Sequence, residues 1–197
     1  MIVLGVTGSL ASGKSEAARI FKKHGALVFD ADRAARRAVR KGTPAYKAVV
    51  KLFGREYLRK NGEIDRKKLA GRVFSRPEDL KKLNIVIHPG VIIESMRMIE
   101  RARGKKGILV MDVPLLFESK MENLADRVLV VSSKKEKMIA RAAKSGMPAG
   151  LARKILASQW AIGRKEKLAD YVIHNNGTLK DLEKAVRRLV RDIREKI

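Results

Sequence analysis

The sequence predicts an α/β protein: a parallel five-stranded sheet covered by helices, with a helical lobe set into the chain and a helical lid. Three observations predict it. Short apolar runs recur between helical stretches, as in a sheet buried on both faces. The first run leads directly into a glycine-rich turn that opens a helix. A long, nearly all-helical stretch separates the second run from the third.

The elements follow in order. Ile2 to Val6, Ala26 to Phe29, Gly107 to Met111, Arg127 to Val131 and Tyr171 to Ile173 read as the five strands. In the inserted stretch, Arg33 to Val39 reads as a basic helix. Pro44 begins another, with Tyr46, Val49, Val50 and Phe53 at helical spacing. Asp65 caps a third, carrying Leu69 and Val73, and Ser75-Arg76-Pro77-Glu78 is a capping box for a fourth. Pro89 starts a longer helix that ends near Gly104, leaving His88-Pro89 at a break between helices. Residues 134–167 carry ten Lys or Arg against two acids, and Gly146, Met147 and Pro148 divide them into two helices. A capping box at Thr178-Leu179-Lys180-Asp181 opens the final helix, with Leu182, Val186, Leu189 and Ile193 on one face.

The bulk properties limit the function classes. At 197 residues, 45% of them hydrophobic, the chain suits one substantial core with a smaller lobe. The absence of cysteine excludes disulfides and thiolate metal sites and fits a cytoplasmic protein. The chain enters its first strand at once, which argues against a cleaved signal, and no apolar run approaches the ~20 residues that span a bilayer. A net charge of +24 attracts polyanions, either nucleic acid or small phosphorylated ligands. Aromatic residues make up only 5%, which speaks against an extended base-stacking surface. Three histidines without paired spacing make a zinc centre a poor reading.

Gly8-Ser9-Leu10-Ala11-Ser12-Gly13-Lys14-Ser15 matches the phosphate-cradling pattern G-x-x-x-x-G-K-[ST] between a strand and a helix, and so predicts a P-loop nucleoside-triphosphate hydrolase fold. Gly8 and Gly13 allow a tight turn whose N–H groups face phosphates. Lys14 is expected on the β- and γ-phosphates and Ser15 on Mg²⁺. Asp112, after the third strand, is read either as support for Mg²⁺ or its water shell or as a cap for the next turn. Asp30 and Asp32 end the second strand. In an extended tract they point the same way, at the edge where α/β sheets bind ligands. Asp32 is a candidate base for an acceptor hydroxyl, with Arg33 and Arg37 one above the other to hold acceptor phosphates. The alternative is a helix cap followed by a solvated basic face. His88 is read as an acceptor-positioning residue or as a structural histidine.

These segments together resemble the dephospho-coenzyme A kinase family over nearly the whole chain. The resemblance rests on the opening loop, Asp30-Ala31-Asp32, Asn61-Gly62-Glu63-Ile64-Asp65-Arg66 with Val73-Phe74, and Leu83-Asn84 with His88-Pro89. It rests further on Val113-Pro114-Leu115-Leu116-Phe117-Glu118, and on Gln159, Lys165, Ala169-Asp170, Ile173 and Asn175-Asn176-Gly177. It implies ATP-dependent phosphorylation of the ribose 3′-hydroxyl of dephospho-CoA to CoA and ADP, the last step of coenzyme A synthesis, with ATP and Mg²⁺ required. No obligate nucleic acid or membrane partner is implied, and a monomer is one reading of an oligomeric state left open.

Residue by residue, the resemblance implies Asp32 as base. Gly8 to Ser15, with Asn175 and Gly177, form the nucleotide side, and Asp32, Arg33, Arg37, His88, Pro114 and Leu115 the acceptor side. Residues 1–32, 105–136 and 161–197 become the nucleotide core, 33–104 the acceptor lobe and 137–160 the lid. In the lid, Lys144 falls where the family carries an arginine, and Ala140 where another is common, with Arg141 beside it. Lysine keeps the charge but loses the bidentate fork, so Arg141 and Lys144 are carried together as catalytic cations. A regulatory GTPase lacks its Asn-Lys-x-Asp segment here. A nucleoside or nucleoside-monophosphate kinase shares the loop and a basic lid, and a nucleic-acid-stimulated ATPase is the reading that the charge alone would favour.

Overall fold

Apolar runs too short to be stable alone become strands when helical crossovers return each one to a common sheet. The computed structural model describes residues 1–195. Its strands are β1 (Ile2–Thr7), β2 (Leu27–Asp30), β3 (Ile108–Asp112), β4 (Arg127–Ser132) and β5 (Tyr171–His174). The helices are α1 (Lys14–Lys23), α2 (Ala31–Ala38), α3 (Pro44–Phe53), α4 (Arg66–Val73), α5 (Pro77–Ala102), α6 (Lys135–Lys144), α7 (Ala149–Ser158), α8 (Ile162–Lys167) and α9 (Leu179–Arg194). The chain divides into two compact units, Met1–Asp30 with Ser95–Ile197 and Ala31–Glu94. No described helix is long and apolar enough to cross a membrane.

The first unit contains the sheet, in the order β2-β3-β1-β4-β5 with every neighbour parallel. β3 is buried at every position, as a central strand of a two-faced sheet must be. Register aligns Val6 with Asp112 and Asp112 with Asp30, so the carboxyl ends of β1, β3 and β2 form one edge. The expected strands are shifted at their ends. Ala26 and Gly107 lie outside, while Asp30 and Asp112 are terminal strand residues. On one face Ala17, Ile20 and Phe21 of α1 and Leu182, Val186, Leu189 and Ile193 of α9 close over Leu4, Val6, Val110 and Leu129. The Thr178–Asp181 capping box starts α9, and the hydrogen bonds from Thr178 hold the Asp181 carboxyl below its ordinary value.

The second unit is helical, with a core of Val49, Phe53, Ile64, Leu69 and Val73. Local signals set its helix starts: the Thr43 hydroxyl accepts from Tyr46 N at 3.1 Å with Pro44 following, and Asp65 accepts from Lys68 N at 3.1 Å.

Three sequence expectations are corrected. Residues 134–167 form three helices rather than two, because the backbone turns extended at Gln159 and α8 then opens at Ile162. Asp30 and Asp32 do not share an extended tract, because β2 ends at Asp30 and α2 begins at Ala31, which puts Asp32 in the first helical turn. An acid there also faces the positive end of the helix dipole. His88-Pro89 is not a break, because α5 runs continuously through Pro89. The proline removes one backbone donor, while Leu80, Leu83 and Val86 on one side and buried Val91 on the other hold the helix together.

Candidate functional site

The loop after β1 takes its shape from two positions where a side chain does not fit. A Cβ on Gly8 would lie 2.3 Å from the Val131 carbonyl oxygen, and one on Gly13 would lie 2.1 Å from Asn175 Nδ2. Gly13 also has φ +101°, a left-handed conformation that favours glycine. Ser12 N closes the turn onto Ser9 O at 3.1 Å, and α1 then starts at Lys14 with its first N–H groups lacking helical partners. Such an end is suited to phosphate.

Around this loop the first unit collects most of the expected nucleotide-side residues. Lys14 Nζ lies 2.8 Å from Asp112 Oδ1 and 3.3 Å from Ser15 Oγ, so three polar side chains converge where β1 and β3 end. The ion pair is nearly buried, with side-chain exposures of 11% and 7%. Asp112 thus holds Lys14. Asn175 braces the loop: its Nδ2 donates to Ser12 O at 2.8 Å, while its own carbonyl accepts from Ser133 Oγ at 2.9 Å. Gly177 lies just before the α9 cap, where a Cβ would come within 2.5 Å of Asp181 Oδ2.

The two lid cations differ sharply. Arg141 donates through Nη1 to Ser12 O at 3.3 Å and through Nη2 to Asn175 O at 2.9 Å, so it already lies on the loop. Lys144 is exposed at the last residue of α6.

A second cluster reaches the loop from Pro114 to Glu118. Lys165 is fully buried and donates to Glu118 Oε1 at 2.7 Å and to Pro114 O at 3.3 Å, while Thr7 Oγ1 donates to the same carbonyl at 3.0 Å. Trp160 N donates to Glu118 Oε1 at 2.9 Å. The indole stacks on Phe117, with centroids 6.3 Å apart and planes 2° apart, and the Arg164 guanidinium lies 3.6 Å from its centre. This anchorage positions Gln159, whose Oε1 accepts from Leu10 N at 3.0 Å. Leu115 O accepts from Ser119 Oγ at 2.6 Å. The Glu118–Lys165 pair and the Gln159–Leu10 bond were not foreseen as contacts. The family resemblance singles out Glu118, Gln159 and Lys165, but spacing along the chain does not say which of them meet.

The remaining candidates lie in the helical unit. Asp32 and Arg33 occupy the first turn of α2. Arg37, expected to hold phosphate, forms an ion pair with Glu94. His88 lies within α5, and burial pulls its imidazole below the ordinary value, which favours the neutral ring.

The dephospho-CoA kinase family pattern matches residues 2–181. Among curated relatives, the dephospho-CoA kinase of Enterococcus faecalis is 39% identical over 190 residues, 94% of each chain. That of Geobacillus kaustophilus is 41% identical over 179 residues, 90% of this chain and 89% of the relative. A Thermus thermophilus crystal structure superposes with TM-score 0.78 at 33% identity, covering 98% and 97% of the two chains. The Campylobacter jejuni dephospho-CoA kinase does so with TM-score 0.69 at 28% identity, covering 98% of each. A shikimate kinase from Acinetobacter baumannii, at 14% identity and TM-score 0.56, shares the fold alone, covering 98% and 94%. With its cradle, its parallel sheet and a match across nearly its full length, this chain belongs to the dephospho-CoA kinase family.

Proposed function

We propose that the protein transfers the γ-phosphoryl group of ATP to the ribose 3′-hydroxyl of dephospho-CoA, yielding CoA and ADP. The observation that carries this reading is the convergence of Lys14, Ser15 and Asp112 at the glycine loop, in a chain that matches this kinase family from residue 2 to residue 181. The new bond joins the 3′-oxygen to the γ-phosphorus, the bond from that phosphorus to the β,γ-bridging oxygen breaks, and the hydroxyl proton passes to the Asp32 carboxylate.

The chain's own groups divide this work. Gly8 to Ser15 hold the phosphates through backbone N–H groups, and Asn175 and Gly177 shape the nucleotide side. Lys14 turns from Asp112 to the β- and γ-phosphates when nucleotide arrives. Arg141, which ties Ser12 O to Asn175 O on the loop, and exposed Lys144 are the two lid cations within residues 137–160 that serve the phosphates. Asp32 is the base. Arg33, His88, Pro114 and Leu115 orient the acceptor, while Arg37 acts through its pairing with Glu94.

Mg²⁺ fits the donor set. Ser15 Oγ and Asp112 Oδ1 flank one ammonium position, and a hydroxyl with one carboxylate suits a hard ion that completes its shell from phosphate oxygens and water. Once bound, it would neutralise charge on the transferring group. The cytoplasm, with its ATP supply, is the compartment this reading assigns.

The test is a mass-resolved reaction of ATP with dephospho-CoA, with adenosine and nucleoside monophosphates as rival acceptors. Stoichiometric ADP and CoA with no added polymer is the expected result. Preferential phosphorylation of a rival acceptor overturns the reading.

A further inference from the structure

Four arginines converge in the helical unit from three separate segments. Arg36 lies in α2 and Arg40 just beyond it, Arg59 opens the turn that leads back to α4, and Arg66 is the first residue of α4. Contacts that do not depend on their mutual charge bring them together. Arg59 N donates to Glu63 O at 2.8 Å, and Leu58 bridges to Ile64 across the same turn. Lys41 Nζ donates to Asn61 O at 3.2 Å, fastening the end of α2 to that turn, and Arg66 Nη2 donates to Arg36 O at 3.3 Å. Buried Ile64 and the Asp65 cap then fix where α4 begins.

This arrangement costs electrostatic energy. Among the described residues none of the four arginines forms an ion pair with a carboxylate. The Arg66 guanidinium is held below its ordinary value by desolvation first and then by Arg36, with Arg59 and Arg40 adding to the effect and Glu63 opposing it. Arginine stays protonated at any working pH, so the like-charge repulsion that Glu63 and solvent leave in place among these exposed side chains is reduced further by a bound anion.

The position of Asp32 selects the anion. Asp32 and Arg36 are four residues apart in α2 and so lie one above the other on the same helix face. A ribose bearing a reactive 3′-hydroxyl and a 5′-diphosphate spans a distance comparable to one helical turn, about 5.4 Å. Arg37, on a different face, is engaged by Glu94.

We propose that Arg36, Arg40, Arg59 and Arg66 form the site for the acceptor's 5′-diphosphate and thereby select a diphosphate-bearing nucleoside over a bare one. This rests on the phosphoryl-transfer reading above. Guanidinium forks match the paired phosphates, and a fixed diphosphate leaves the 3′-hydroxyl one turn away at Asp32.

The experiment compares dephospho-CoA with adenosine, which has the hydroxyl but no phosphate, as acceptors for Arg36→Gln, Arg66→Gln and Arg66→Lys. For Arg66→Gln, kcat/KM for dephospho-CoA should fall about 10- to 100-fold, mostly through KM, while that for adenosine changes by less than about twofold. Arg66→Lys should recover part of the loss, and KM for ATP should stay constant. Calorimetric dissociation constants for the two ligands should show the same contrast, so a slow truncated acceptor does not leave the question open. Equal losses on both acceptors, or no loss on either, overturn the diphosphate site. Failure of the unmodified protein to phosphorylate dephospho-CoA overturns the underlying reading instead, and the two failures are distinct.

Discussion

A lysine with no exposed surface survives as an ammonium only where acceptors replace the water it has lost. Lys165 meets that condition through Glu118 and Pro114, and Glu118 in turn serves the Trp160 backbone next to Gln159. Lys165→Met should therefore destabilise the protein by about 3–5 kcal/mol, because it strands a buried carboxylate. Adding Glu118→Gln should restore part of that, since the amide oxygen still accepts from Trp160. Urea midpoints decide it, and a double variant no more stable than Lys165→Met removes the pair as the cause. Gly13→Ala tests the loop in the same way. With φ +101° and Asn175 Nδ2 in the space of a Cβ, the change should cost at least about 1–2 kcal/mol and weaken ATP binding, measured by calorimetry. The requirement for glycine at position 13 was legible from the loop pattern. Its neighbour across 162 positions was not, because spacing along a chain carries no information about which distant amide closes against it.

Elements with strong local signals appeared where the residues placed them: α3 behind Thr43-Pro44, α4 behind Asp65 and α9 behind its box. α5 did not, because a proline reads as a stop unless tertiary packing on both sides outweighs it. If packing carries α5 through Pro89, Pro89→Ala should stabilise the protein by about 1–3 kcal/mol by restoring a donor and removing a ring clash. An unchanged or lower urea midpoint would show that the helix is already relaxed around the ring. His88, one position earlier, provides a pH test. Burial depresses its value in the folded state, so the unfolded chain binds the proton more readily. Stability attributable to the neutral ring is complete above the unfolded value of about 6.5 and is lost as pH falls below it. Between pH 7.5 and pH 5.5 the unmodified protein should lose more stability than His88→Gln, and equal losses would place the titration elsewhere.

Over the whole molecule, the fold class was readable because glycine loop, apolar runs and crossovers all required one topology, whereas the use made of a charge of +24 was not. A net charge is a sum, and only folding reveals that Arg37 is neutralised by Glu94 while Arg36 and Arg66 crowd together. The sum still has a consequence of its own. Like charges repel more strongly in the compact state than in the expanded chain, and salt screens that repulsion over a Debye length of about 10 Å at 0.1 M. The melting temperature without nucleotide should therefore rise as sodium chloride increases from about 10 mM to about 200 mM. Chloride is the anion of choice, because sulfate would also occupy a phosphate cradle. ATP binding should respond in the opposite sense: at 100 times its dissociation constant ATP adds about 2.7 kcal/mol, and because screening weakens its attraction to the cradle, the ATP-induced shift at fixed ATP should shrink over the same salt range. Thermal melts with and without ATP across the series separate the two slopes. A melting temperature that is flat or falls with salt would mean that local ion pairs, rather than the excess of cations, govern the electrostatic part of stability.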